Sequence, residues 1–454
     1  MTGTRRERSS CSRWVRGAGF SRVAFAGFFL CLSVPSSAEG PGVLTGKAHR
    51  YHQDGNYAEA EKLYLEALAG WEAALGPEAE SVAASLSALG RLYDDTGNYS
   101  RAEALHIRAL AIWEKKAGPS GSDVATALNN LAAAYFHQRR YEDAERFYQR
   151  SLAIKEKTLG PDHQEIGIVL NNLAAVYRVQ RKDADAISLY YRSLAINEKA
   201  WGPKHPEVAT VLNNLGELYS VRSNFIKAEA LLRRSIEIDE QALGSGHPKL
   251  TTALHNLGNV YYKLQYYEDA ELLYRRILDL VEQTLGSAHP KAARALNGLA
   301  AISVRRNQLG EAEALLQRTL QVWNKAGDTG DPELAIGITN LASIHLARRK
   351  DRKARPLLER LLSIEEQTSG PNDAGLQPVL ETLADLNRRL GDHVEAENLY
   401  RRRVEIQKEV LGPSHPDYAL SLQKYAVALR KMNRKQEANR AVAKAEAITS
   451  SYRK

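Results

Sequence analysis

Residues 128–160 read LNNLAAAYFHQRRYEDAERFYQRSLAIKEKTLG, and this stretch decides the fold. Leu128, Leu131, Ala132 and Tyr135 recur at i, i+3, i+4 and i+7, the spacing of one face of a helix. After a short polar break, Tyr141, Ala144, Tyr148, Leu152 and Leu159 mark a second helical stripe ending at Gly160. Glycine there predicts a helix C-cap, and Pro161 behind it cannot continue the helix. No alternating β-branched run predicts a strand.

Working outward, the same pattern returns on a lattice of 42 residues. Gly76, Gly118, Gly160, Gly202, Gly244, Gly286, Gly370 and Gly412 all fall on it, and only Asp328 breaks the column. Leu-Asn-Asn-Leu recurs at 128, 170 and 212, then becomes Leu254-His255-Asn256-Leu257 and Leu296-Asn297-Gly298-Leu299. A fixed period of this length signals an array of stacked helix pairs, none of which can bury its apolar face alone. The repeats run 43–76, 77–118, 119–160, 161–202, 203–244, 245–286, 287–328, 329–370, 371–412 and 413–454, with 39–42 as a short linker. The shortened first repeat and the polar, basic last one read as caps. Between 328 and 380 the pattern weakens: Asp351 replaces an aromatic residue, and Pro356 and Pro378 fall within expected helices. A bend or soft joint is expected there, against the alternative that helix starts are displaced.

The Leu-Asn-Asn-Leu-Ala run, Tyr135, Tyr141, Ala144 and Tyr148, with equivalents Tyr99, Ala102, Tyr267, Ala270 and Tyr274, resemble the tetratricopeptide repeat in the 42-residue form of kinesin light chains and many bacterial repeat proteins. The resemblance covers nearly all of 43–454. It implies an all-α fold, a right-handed superhelical solenoid of about ten stacked antiparallel helix pairs. Its concave groove would bind a peptide or partner protein. No long heptad segment exists for pairing with a motor chain, so a motor role is not expected.

Residues 1–38 have the order of a secretory signal peptide. Arg5, Arg6, Arg8, Arg13, Arg16 and Arg22 precede an apolar run from Val23 to Val34, and small residues lead to a cut after Ala38. The apolar core is too short for a membrane span of about 20 residues. Export to the periplasm or medium is therefore expected, with no integral membrane association once the leader is removed. Six basic residues and one acid leave with it, so the formal charge falls from +8 to about +3, and both cysteines, Cys11 and Cys31, go too. That balance argues against a nucleic-acid partner.

On each first helix the side opposite the apolar stripe is polar and should line the groove. It carries Asn129, Asn130, Asn171, Asn172, Asn213, Asn214, Asn256, Asn297 and Asn340, whose amides both donate and accept hydrogen bonds and suit an extended peptide backbone. The competing reading is that they bond to neighbouring helices or to water. Asp94 and Asp95 lie toward the N-terminal end, whereas Arg178, Lys263, Arg294, Arg305, Arg388 and Arg389 lie further along. An acidic segment of the partner is expected toward the C-terminal half.

No catalytic, metal or cofactor site is expected. Phosphate-loop, nucleophile-elbow and paired-histidine zinc motifs are missing from the sequence. His163, His205, His247, His289 and His415 share the lattice, but stacked helices stand about 8–10 Å apart while zinc needs ligands at about 2 Å. They read as loop and helix-start residues, and Trp71, Trp113 and Trp323 as packing residues. The expected function is a non-enzymatic interaction scaffold. A structural spacer without a groove ligand and a nucleic-acid-binding helical repeat are the competing readings.

Overall fold

The computed structural model describes residues 39–326 and 332–452. The leader and Asp328 lie outside them. Twenty α-helices follow in chain order: α1 (Pro41–Gln53), α2 (Tyr57–Leu75), α3 (Glu80–Asp95), α4 (Tyr99–Ala117), α5 (Ser122–His137), α6 (Tyr141–Leu159), α7 (Gln164–Val179), α8 (Asp183–Trp201), α9 (Pro206–Val221), α10 (Phe225–Leu243), α11 (Leu250–Lys263), α12 (Tyr267–Thr284), α13 (Pro290–Arg305), α14 (Leu309–Ala326), α15 (Pro332–Ala347), α16 (Asp351–Ser369), α17 (Gln377–Leu390), α18 (His393–Leu411), α19 (Pro416–Lys431) and α20 (Lys435–Tyr452). Each helix packs on the next, and odd helices from α1 to α15 also touch the next odd helix, so the pairs stack as a solenoid. No strand occurs among the described residues. The first helix starts at Pro41, inside the segment read as a linker.

Two kinds of turn alternate, and they place different demands on sequence. Within a repeat, the chain reverses through one residue in the left-handed region: Gly97 at φ 79°, but Arg139 at 62°, Arg181 at 63° and Gln265 at 66°. Arg139 N–H bonds Phe136 O and Arg140 N–H bonds Tyr135 O, a helix-terminating pattern that offsets the cost of a side chain there. Between repeats, Gly160 sits at φ 85°, ψ 159°, and Gly202 at φ 85°, ψ 160°. That corner of backbone space is essentially closed to any residue with a Cβ. The first turn therefore accepts Arg, Ser or Gln, and the second keeps the glycine column. These column glycines are helix C-caps, as the sequence predicts, with ψ extended so that the chain leads on toward the next first helix.

Packing repeats with the same period. Every second helix carries a fully buried alanine at one lattice position, from Ala60 and Ala102 to Ala396 and Ala438. With only a methyl group there, helices approach closely. On the polar side, an arginine of each second helix reaches back one repeat to a glutamate: Arg108–Glu72 at 2.5 Å, Arg150–Glu114 and Arg192–Glu156 at 2.7 Å, Arg234–Glu198 at 2.6 Å, then Arg276–Glu240, Arg318–Glu282 and Arg402–Glu366. Most of these arginines also donate to the carbonyl of the residue after the column glycine, as Arg150 does to Pro119 O. Half exposed, each rung contributes only about 0.2–1 kcal/mol. The series is interrupted at Arg360, where the lattice supplies Asn324 in place of glutamate.

That gap lies in the weak region. There α16 runs unbroken through Pro356, at its sixth residue, and Pro378 stands in the first turn of α17 behind a short 3-10 turn at Ala374–Leu376. The helix start is displaced at Pro378, and both helices run unbroken. The histidines occupy helix starts: His163, His205, His289 and His415 each accept, through Nδ1, the N–H two residues on, and His247 does the same just ahead of α11. Trp323 is buried, and Trp71 and Trp113 pack half-buried on the core.

Two outcomes follow for stability. Gly202→Ala should cost about 2–3 kcal/mol, whereas Gly97→Ala, with open space around its Cβ, should cost about 1 kcal/mol; urea unfolding midpoints check the order, and equal effects would refute the two-turn account. Asn324→Glu should complete the missing rung and raise stability by about 0.5 kcal/mol at low salt, with the gain fading in 1 M NaCl.

Candidate functional site

The polar faces of α5, α7, α9 and α11 meet because the lattice brings position i against i+43. Asn172 donates to Asn129 at 3.3 Å, Asn214 to Asn171 at 2.9 Å and Asn256 to Asn213 at 3.0 Å. Within a helix, Asn171 donates to Asn172 at 3.4 Å and Asn213 to Asn214 at 3.3 Å. The six amides thus form one head-to-tail chain, 256 to 213 to 214 to 171 to 172 to 129, crossing four repeats. Each interior amide spends one N–H and one oxygen lone pair on it and keeps as many for something else. Asn130 lies half-buried beside this chain and is not in it.

The chain stops at Asn256 for a chemical reason: one repeat on, the donor position is Gly298. Where the amides end, a cavity of about 600 Å³ opens, walled by the first helices α9, α11, α13 and α15 of four consecutive repeats. Asn256, Asn297 and Asn340 line it. Asn297 is buried and donates to the Glu333 carbonyl at 2.9 Å and to its carboxylate at 3.2 Å. Gly298 and Gly258 make room for the Tyr274 ring, since a Cβ on either would come within 2.6 and 2.8 Å of it. Tyr274 in turn donates to Asn259 Oδ1 at 2.7 Å. Val221 and Ile336 add exposed apolar patches to the walls.

The cations expected along the groove have different surroundings. Arg178 is neutralised by Glu217 at 2.6 Å, Arg388 by Asp385 at 3.0 Å and Arg389 by Asp351 at 2.8 Å. Arg305 lies outside the cavity lining and donates to Tyr262 Oη at 3.0 Å, bracing a wall residue. Lys263 and Arg294 are exposed on the cavity itself. His255, beside them, is pushed down to about 4 by burial and then by the Arg294 charge, so it is neutral at pH 7. Its Nδ1 is buried without a hydrogen-bond partner among the described residues. At the other end, Asp94 and Asp95 are engaged by His106 at 2.9 Å and His52 at 2.7 Å.

The sequence reading missed His255, Asn259, Tyr274 and Gly298 as site residues. The signal was present: His255 and Gly298 depart from the Asn-Asn column in successive repeats, and both fall where the cavity opens. No group of three or more His, Cys, Asp or Glu that could hold a metal ion occurs among the described residues, and no described helix is long and apolar enough to cross a membrane.

Comparison with solved structures returns helical-repeat chains. A Rap protein complexed with competence and sporulation factor superposes with a TM-score of 0.53 at 15% identity, covering 81% of this chain and 98% of that one. BtubC (BKLC) from P. vanneervenii matches with a TM-score of 0.40 at 22% identity, over 55% of this chain and 93% of its own. A putative kinesin light chain from Podosopora anserina with nearly identical repeats gives a TM-score of 0.38 at 24% identity, over 46% and 98%. At these identities the likeness concerns the fold alone. No curated protein matches. The tetratricopeptide-repeat profile matches residues 43–115, 123–199, 165–241, 207–283, 249–325, 291–367 and 376–451, and a second profile of the same description matches 87–158. With these matches spread over nearly the whole stack, the chain belongs to the tetratricopeptide repeat family, whose members are typically non-enzymatic scaffolds for protein partners.

Proposed function

We propose that this chain holds an extended peptide segment of a protein partner in the first-helix groove, centred on the cavity at α9, α11, α13 and α15. The observation that carries this reading is the cavity itself, about 600 Å³ and walled by equivalent helices of four repeats. It has polar groups to meet a backbone, apolar patches to meet side chains, and two exposed cations, Lys263 and Arg294. The amide chain leads into it and retains donors and acceptors for a peptide. Those cations favour an acidic residue on the bound segment. No catalytic role is assigned to any residue of the groove.

One observation favours a second reading. The asparagines from 129 to 256 bond to one another, as they would if their purpose were to hold neighbouring helices in register, and a spacer needs nothing more.

Binding of fluorescent peptide pools to residues 39–454 separates the two. An Asp/Glu-rich pool should bind better than a neutral one, and Lys263→Glu with Arg294→Glu should weaken it about tenfold, about 1.4 kcal/mol, at unchanged helicity. No binding of either pool, or equal binding by native and reversed chains, would favour the spacer.

We also propose that residues 1–38 direct export and are removed, from their Arg-rich, apolar, small-residue order. N-terminal sequencing after expression of the full chain in a bacterial host should read from Glu39. A chain retaining its leader in the soluble cell fraction would overturn this.

A further inference from the structure

The first helix of the tenth repeat, α19, carries the cavity-lining positions of the lattice beyond the cavity itself. Leu420 stands where Arg294 and Ile336 line the cavity, Val427 where Asn259 and Ala301 do, and Arg430 and Lys431 where Tyr262 and Lys263 do. Leu420 is 49% exposed and Val427 43%, and both cations are exposed. One repeat earlier the same two cation positions are neutralised, Arg388 by Asp385 at 3.0 Å and Arg389 by Asp351 at 2.8 Å. On the lattice those two acids become Val427 and His393. No ion pair to Arg430 or Lys431 occurs among the described residues. The helix dipole favours cations in the last turn of α19, but it disfavours Lys435 at the first residue of α20, which is exposed and likewise without an ion pair among the described residues. Residues 413–454 hold nine basic and three acidic residues, a charge of +6, against −3 for 39–412.

We propose that the groove face of α19 is a second docking surface, for an acidic segment of a protein partner that also carries apolar side chains. Charge complementarity selects the acidic residues: Arg430 and Lys431 keep the charge that repeat nine cancels with Asp385 and Asp351. Leu420 and Val427 select the apolar ones. Seven residues apart, they stand about 10 Å from each other along the helix, and their exposed area leaves water when a segment covers them. The acids nearby are already engaged. Glu381 and Asp385 hold Lys424, while Glu397 and Glu437 hold Arg434 at 3.1 and 2.6 Å. An incoming carboxylate therefore meets open cations beside neutralised acids. Lying on the groove face, these residues are reached by a chain segment and not by a flat lipid surface. The surface is separate from the cavity and does not require the cavity to hold a peptide.

Fluorescence anisotropy at low ionic strength tests this with labelled peptide pools: Glu/Leu-rich, Glu/Ser-rich at equal charge, and Lys/Leu-rich. The receptor is residues 39–454, both native and carrying Lys263→Glu with Arg294→Glu, which turns the cavity against acidic peptides. On the second chain the Glu/Leu pool should bind about fivefold tighter than the Glu/Ser pool, and the Lys/Leu pool should not bind. Adding Arg430→Glu with Lys431→Glu should weaken the Glu/Leu pool about tenfold, and adding Leu420→Ser with Val427→Ser about fivefold, with circular dichroism and thermal unfolding confirming that each variant is folded. Equal binding of the two acidic pools, or binding untouched by either α19 pair, would overturn the proposal. So would capture of the chain by phosphatidylcholine–phosphatidylglycerol vesicles through Arg430 and Lys431 while the Glu/Leu pool stays unbound, which would make the partner a lipid surface. If the native chain binds the acidic pools and the cavity variant does not, the α19 surface falls and the cavity reading stands. If the cavity substitutions change nothing and the α19 substitutions abolish binding, the α19 surface stands and the cavity reading falls. If no pool binds either chain, both fall.

Discussion

The architecture depends on one backbone conformation. At the junction between repeats the column glycine holds φ near 85° with ψ near 160°, as at Gly76, Gly160, Gly202 and Gly412. Only a residue without a Cβ takes up that conformation at small cost. Because the same dihedral pair recurs at a fixed interval, each helix pair is delivered to the next in the same pose. The other periodic interactions inherit their spacing from this turn. The arginine rungs join i to i−36, the buried serines of α6, α8 and α10 reach carbonyls at i−26, and the amide chain joins i to i+43. None is strong alone; a half-exposed ion pair contributes little. Repetition matters because the stability of a stack is close to a sum over neighbouring interfaces.

Regular stacking also explains why the groove is not uniform. Where two adjacent asparagines recur, their amides bond to one another between helices and line the groove in one continuous chain. Replacing one partner with Gly298 removes the next amide, leaves Asn256 as the donor end of the chain, and frees the space that Tyr274 and the cavity share. His255 replaces the other asparagine and brings an imidazole that burial keeps neutral. His255 and Gly298 thus mark where the amide chain gives way to the cavity.

Much of the fold was legible because its determinants are local and repeated. Helix pairs follow from the Leu128-Leu131-Ala132-Tyr135 face, and helix starts from the His-Pro pairs. The number of repeats follows from the glycine lattice. Less was legible in the site. Helical periodicity places Arg178, Lys263 and Arg294 on one face alike, but whether a charge is free depends on what stands one repeat away. Glu217 reaches Arg178. Bonding between asparagines was likewise hidden, since it depends on the offset between stacked helices and not on spacing along one of them. At Pro378 the alternative of a displaced helix start holds, since the 3-10 turn at Ala374–Leu376 places the proline in the first turn of α17, where a missing N–H costs little, whereas Pro356 lies inside α16.

In a repeat protein, then, regularity builds the frame and departures from it carry the chemistry. The alanine column from Ala60 to Ala438 is unbroken even through the weak repeats, so selection for stacking extends over the full length of the array. Against that background, a residue that breaks a column without damaging the stack is free to serve something other than stacking. Asn324 and Pro356 break columns at interfaces between repeats. His255 and Gly298 break one on the groove face, adjoin each other across two repeats, and lie beside the cations Lys263, Lys291 and Arg294. A cavity, a neutral imidazole and a cluster of cations coincide at one place on the stack. That coincidence is a physical reason to place ligand recognition at repeats five to eight, and it does not depend on the identity of the partner.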